Sequence, residues 1–288
     1  MTGGEGERGS DIKLPSTEIF DDFIQDMDNL NKLIDLAIDG IARETQAVGM
    51  VEWLADFERL KAERDKTPIP VRGDEHERRM AHAKERADFA QREVETDFPK
   101  LHALATIAIW SSLEAFFENL AVAYLAGNPS ALGLDPIKRI RVSLADYESM
   151  THEERLLHLV DQLQQEIKTP LKQGVARFEG LLAVFGLGGE VDESVRRDLY
   201  ELSHVRNVLV HRAGVADRRI CAACPWLGLH LGDKVVIGHA DFWKYVAAAM
   251  KYVTLILRRL TRIERGVREA ESRSAGNSVE GTAPENRP

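Results

Sequence analysis

Three residues near the C-terminal end of one helical segment carry side chains suited to chemistry. Arg206, Asn207 and His211 stand in the run Arg206-Asn207-Val208-Leu209-Val210-His211. A guanidinium stays charged at any working pH and grips flat oxyanions with two donors. An imidazole titrates near neutrality and serves as general acid or base. An amide offers both a donor and an acceptor to orient either group. Asn207 and His211 are four residues apart, one helical turn, so their side chains share a flank with Ser203. Arg206 falls within the apolar stripe of Val195, Leu199, Leu202, Val205 and Leu209. A cation on such a stripe needs a partner. Glu114 is the best-placed acid by pattern, because it shares a helix flank with Ile107, Ala121 and Leu125. The competing structural reading makes Arg206 an ion-pair partner and His211 a C-terminal residue favoured by the helix dipole.

These residues need a helix to position them, and the pattern around them is helical. Apolar residues at steps of three and four predict helices over 16–47, 51–66, 98–126, 151–168, 171–185, 192–212 and 241–266. A charged helix is predicted over 74–97. Ser16 or Thr17 is placed to cap the first helix, and Thr151 with Glu154 forms a capping-box pattern. Thr67-Pro68-Ile69-Pro70 and Gly127-Asn128-Pro129 are breaks, and Pro99 starts or kinks a helix. Residues 214–238 change character, and two short apolar runs around Gly232-Asp233 suggest a small β-hairpin or structured loop. The expected fold is all-α: a helical bundle over residues 98–268, preceded by a long helical extension over 15–97, with flexible tails at 1–14 and 271–288.

Composition narrows the function classes. Of the 288 residues, 47 are acidic and 38 basic, giving a formal net charge of −9. That excludes general coating of nucleic acid but leaves room for a local basic site. Two cysteines cannot build a disulfide framework. The most apolar stretch, 107–125, is interrupted by Glu114, Glu118 and Asn119 and reads as a buried helix, not a membrane span. The expectation is a cytoplasmic protein without membrane contact.

Gly186-Leu187-Gly188-Gly189 lacks the features of a phosphate loop. Cys221-Ala-Ala-Cys224 has the spacing of half a zinc site, which His211, His230 and His239 could complete; two small core thiols are the simpler reading, so no metal or cofactor is expected. Arg258, Arg259, Arg262, Arg265 and Arg268 form a strip read as a solvated helix end. Trp53, Trp110, Trp226 and Trp243 are scattered and read as core or interface.

Arg206-Asn207-x-x-x-His211 at a helix end resembles the signature of HEPN domains, an all-α superfamily. Ser111-Ser112-Leu113-Glu114-Ala115-Phe116 upstream and Ala213-Gly214-Val215-Ala216-Asp217 with the Gly232-Asp233 turn downstream are similar to bacterial members, so that the resemblance spans about residues 98–265. The resemblance implies a metal-independent endoribonuclease, a toxin or phage-defence effector, that dimerises to form one composite cleft from two helix ends. Arg206 would contact phosphate. His211 would assist 2′-hydroxyl attack or protonate the leaving oxygen, leaving 2′,3′-cyclic phosphate ends, and Asn207 would orient His211 or the substrate. Arg212 would add an RNA contact, with Glu114 and Ser203 in support. Other members keep the fold as a noncatalytic module that binds RNA or protein, and a partner protein or antitoxin fits either form. The Tyr two residues after the His, found in members paired with nucleotidyltransferases, is Ala213 here.

Overall fold

The computed structural model describes residues 17–69, 72–167 and 173–279, the side chains of 267, 268 and 270–279 excepted. The leader at 1–14, the Ser16 cap, Pro70, the junction at 168–172, the Arg268 side chain and residues 280–288 lie outside that description.

The described chain is helical throughout, with no strand. Its helices are α1 (Glu18–Glu44), α2 (Ala47–Asp65), α3 (Asp74–Glu95), α4 (Pro99–Gly127), α5 (Asp135–Lys138), α6 (Leu144–Ser149), α7 (His152–Glu166), α8 (Val175–Val184), α9 (Glu193–His211), α10 (Arg218–Ala223) and α11 (His239–Val279). Local chemistry sets many of the boundaries. Pro99 is the first residue of α4, where its missing N–H costs nothing. Thr151 accepts from the Glu154 amide while the Glu154 carboxylate accepts from the Thr151 amide, the reciprocal cap expected for α7. α2 ends on Lys66 in the left-handed region (φ 52°), just before Pro68.

Residues 214–238, expected as a small β-hairpin or a structured loop, take the second form: a loop holding α10 and a short 3-10 turn, with one isolated antiparallel bridge between Val215 and Lys234. α11 runs on through residues 271–279, expected as tail, where Glu269, Ala270, Glu271 and Arg273 are tolerant of helix.

The chain divides into two compact units. Of the described residues, the first comprises those in 17–25, 110–204 and 246–279; the second comprises those in 26–109 and 205–245. The expected extension over 15–97 lies mostly in the second unit, and the 98–268 segment contributes to both.

The core of the first unit is aromatic. Phe117 stacks on Phe178 with centroids 4.3 Å apart, Trp110 lies against Phe178 at 5.3 Å, and Phe20 and Phe23 meet Phe116 edge-on or tilted. Leu113, Leu120, Val160, Leu163, Leu199 and Leu202 are fully buried around them. The apolar stretch of α4 is thus a core helix, and among the described residues no helix is long and apolar enough to cross a membrane. Beside this core, Glu179 on α8 accepts from the Tyr252 hydroxyl at 2.8 Å and from Arg259 Nη1 at 2.8 and 3.1 Å. Arg259 also donates to the Glu190 carbonyl at 2.7 Å, so it anchors the Gly-rich loop and does not belong to a solvated strip. Arg258, Arg262 and Arg265 are exposed as expected.

In the second unit, Ala83, Ala87 and Ala90 of α3 and Ala62 of α2 are buried. His102 is fully buried, stacked on Phe242 at 5.4 Å.

Candidate functional site

The end of α9 lies in the second unit, and its geometry follows from how the helix is stopped. Ala213 and Gly214 both adopt positive φ, 50° and 75°, which turns the chain sharply. The Gly214 amide donates back to the Val208 carbonyl at 3.1 Å, satisfying one of the open helix carbonyls. Residues 214–216 then zip against 233–235: the Val235 amide donates to the Gly214 carbonyl at 2.8 Å and the Ala216 amide to the Asp233 carbonyl at 2.8 Å. Asp217 caps α10 by accepting from the amides of Arg219 and Ile220 at 2.9 and 3.1 Å.

Four nitrogen-bearing side chains lie on the last turns of α9 or on the loop that closes on it: Arg206, His211, Arg212 and Lys234. Arg206 is half-buried, with its Nε in the interior, and its Nη1 donates to Asn207 Oδ1 at 3.3 Å. His211, on the last turn, is exposed. Arg212 is exposed, with Nε 3.7 Å from Asp217 Oδ2. Lys234 arrives from the far side of the loop and donates to the Ala213 carbonyl at 3.1 Å. Sequence reasoning missed Lys234, since nothing local marks it except its place just after the Gly232-Asp233 turn. The helix end therefore carries two arginines, a lysine and an accessible imidazole within a chain of net charge −9. An arginine can bind an oxyanion and an exposed imidazole can move a proton, while the Asp217 carboxylate already faces Arg212. Asn207 directs its carbonyl at Arg206, so the amide fixes the guanidinium.

The supporting residues belong to the first unit. Ser203 is buried; its hydroxyl donates to the Tyr200 carbonyl at 2.7 Å and accepts from the Gly174 amide at 3.1 Å. Its chemistry is spent on seating the start of α8 against α9. Glu114 is partly buried, as expected, and forms an ion pair with Arg177, which also reaches Gln164 at 3.3 Å. Nearby, burial and the carboxylates of Asp161 and Glu114 push Glu118 above the usual carboxylate range, against the pull of Arg177.

A second group of titratable residues lies elsewhere in the second unit. Asp97 and Phe98 take consecutive positive φ values, 65° and 52°, between α3 and α4. This corner aims Asp97 Oδ2 at the His239 amide, 2.6 Å away, at the start of α11. The Asp97 carbonyl lies 2.9 Å from His102 Nδ1, and the ring is fully buried. Burial pushes the His102 imidazole below its ordinary value; the Asp97 carbonyl and carboxylate pull the other way, and His239 adds to the lowering.

Cys224 is buried and Cys221 half-buried, and neither is in a disulfide. Among the described residues, no group of three or more His, Cys, Asp or Glu is placed to hold a metal ion. His211, His230 and His239 are thus not gathered with the two cysteines; Cys224 is a core residue and His230 faces Asp233 at 3.4 Å. No protein-family model, curated protein or solved structure matches this chain.

Proposed function

We propose that this chain is a HEPN-type, metal-independent endoribonuclease acting in the cytoplasm as a toxin or phage-defence effector. In this reading, two copies bring their α9 ends together into one composite cleft. The observation that carries it is that Arg206, held by Asn207, and the exposed His211 stand on the same helix end, with Arg212 next in the chain and Lys234 bonded to the Ala213 carbonyl just beyond it.

RNA carries its own nucleophile, so the protein needs only charge stabilisation and a proton shuttle. The 2′-oxygen attacks the adjacent phosphorus while the bond to the 5′-oxygen breaks. One His211 takes the 2′-hydroxyl proton and the His211 of the second copy protonates the departing 5′-oxygen. Arg206 neutralises the phosphate, with its fork set by Asn207. The products are a 2′,3′-cyclic phosphate and a 5′-hydroxyl. Glu114 and Ser203 keep the supporting role that the resemblance gives them, and Arg212 contacts the RNA backbone.

One observation favours a second reading, a noncatalytic HEPN module that binds RNA or a protein such as an antitoxin. The Asn207 carbonyl engages Arg206, which leaves His211 to be oriented by substrate or by the second copy.

Cleavage of single-stranded RNA in EDTA separates the two. The nuclease reading expects metal-free cleavage, 2′,3′-cyclic phosphate ends, and no cut where the 2′-hydroxyl is absent. His211→Ala is expected to lose about 10²–10⁴-fold in rate. Arg206→Lys should fail too, because an ammonium lacks the planar two-donor grip. Cleavage that needs magnesium or survives His211→Ala refutes the mechanism. RNA retention without cleavage assigns the chain to the noncatalytic reading.

A further inference from the structure

α2 is packed with its larger side chains outward. Its inner face is made of small residues: Ala62 is buried, and Ala47, Val51 and Ala55 are half-buried. The neighbouring α3 contributes Ala83, Ala87 and Ala90 to the interior. The side chains expected to drive burial face solvent instead: Met50 is 63% exposed, Trp53 61%, Leu54 43%, Phe57 51% and Leu60 56%. Trp53 and Phe57 stack on each other at 5.5 Å and 16°, so the exposed stripe is preorganised. Five large side chains left near half exposure present on the order of 500 Å² of apolar surface. That lies at the upper end of what single soluble chains leave uncovered.

The order of the stripe fits a second copy of α2. Met50, Trp53, Phe57 and Leu60 are spaced by three, four and three residues, and the spacing is the same in both directions. A second α2 laid antiparallel, with Met50 opposite Leu60, places Trp53 opposite Phe57 at both ends of the contact. The two Leu54 side chains then flank the axis. This is the self-complementarity that a two-fold interface requires. Two such faces bury about 1,000 Å² together, the size at which specific association begins. The stripe is about 15 Å long by the rise of an α-helix. α2 carries five acidic and three basic residues, a balance that opposes docking on an anionic lipid surface.

We propose that α2 is a homodimerisation element that pairs antiparallel with α2 of a second copy through Met50, Trp53, Leu54, Phe57 and Leu60. This surface is separate from the α9 end and does not rest on the ribonuclease reading.

The test is sedimentation velocity on the full chain from about 1 to 100 µM, the range in which an interface of this size associates. Trp53→Lys and Phe57→Glu replace exposed side chains, and circular dichroism checks that both variants keep their helix content. Wild type is expected to dimerise, and each variant to weaken dimerisation by at least about 100-fold, the effect of losing an aromatic anchor. Mixing the two variants sets the introduced ammonium of one copy against the introduced carboxylate of the other at one end of the contact. At the opposite end it restores the native pairing of Trp53 with Phe57, so the mixture should dimerise where neither variant does alone. A wild-type chain that stays monomeric overturns the proposal, whether or not it captures another protein or anionic vesicles through Trp53. So does a mixture that fails to recover, or association that both variants leave unchanged; the last result would still be compatible with a cleft formed at the α9 ends.

Discussion

Glu179→Ala offers the sharpest test of how the first unit is held together. The carboxylate accepts from Tyr252, from Arg259 and from the Gly189 amide, the last at 2.9 Å. The side chains of Arg259 and Glu179 are only 13% and 17% exposed, so water cannot replace what is lost. Removing the carboxylate strands a guanidinium that keeps only the carbonyls of Leu187 and Glu190. Breaking a buried pair from one side costs about 3–5 kcal/mol. The residual exposure argues for the lower figure, and about 3 kcal/mol lowers Tm by roughly 6–12 °C in a chain of this size. Tyr252→Phe removes one neutral donor and should cost only about 1 kcal/mol. Burial, followed by the Glu179 carboxylate, pushes the Tyr252 phenol well above its ordinary value, so its hydroxyl remains a donor across the working pH range. Thermal and urea unfolding of Glu179→Ala, Arg259→Ala and the double variant would measure the coupling. A loss below about 1 kcal/mol for Glu179→Ala, or losses that simply add, would refute the view that this pair anchors the Gly186–Gly189 loop.

Two further outcomes follow from backbone and burial. Gly174→Ala should be severely destabilising in thermal unfolding, by several kcal/mol, because φ is +57° and the added Cβ would lie 2.7 Å from the Tyr200 Cα, which cannot move without shifting α9; a Tm within about 2 °C of wild type would contradict this. Burial lowers the His102 pKa in the fold, so the unfolded chain binds the extra proton first as pH falls. The His102 contribution is intact above the ordinary imidazole value near 6.5 and is lost as pH falls from there through the depressed folded value. His102→Leu should flatten that part of the stability–pH profile, and an unchanged acid limb would assign it to other groups.

The local features were readable from residue order because their causes are local. The Thr151–Glu154 box, the start at Pro99 and the break before Pro68 each involve residues within one turn of each other. The partly buried setting of Arg206 followed from its place on the stripe of Leu199, Leu202 and Val205. What escaped depends on distant partners. Arg259 reads as one more arginine on a basic helix until Glu179, 80 residues earlier, closes on it. Lys234 joins the α9 end only because residues 214–216 zip against 233–235. The periodicity of α2 correctly marks Trp53, Leu54, Phe57 and Leu60 as one face. It cannot say that the alanines of α2 and α3 would take the interior.

The bond from the His239 amide to Asp97 spans 142 residues of chain. Closing a loop of that length costs about 4 kcal/mol of chain entropy in the simplest polymer treatment. No single hydrogen bond offsets that, so the clasp cannot nucleate folding; it forms after the helices it joins have already met. It also places a carboxylate at the N-terminal end of the long α11, where the helix dipole favours negative charge. In native-state hydrogen exchange, the His239 amide should lose protection before the helical amides on either side of the corner at Asp97 and Phe98, which makes it a reporter of the last step of folding and the first step of opening.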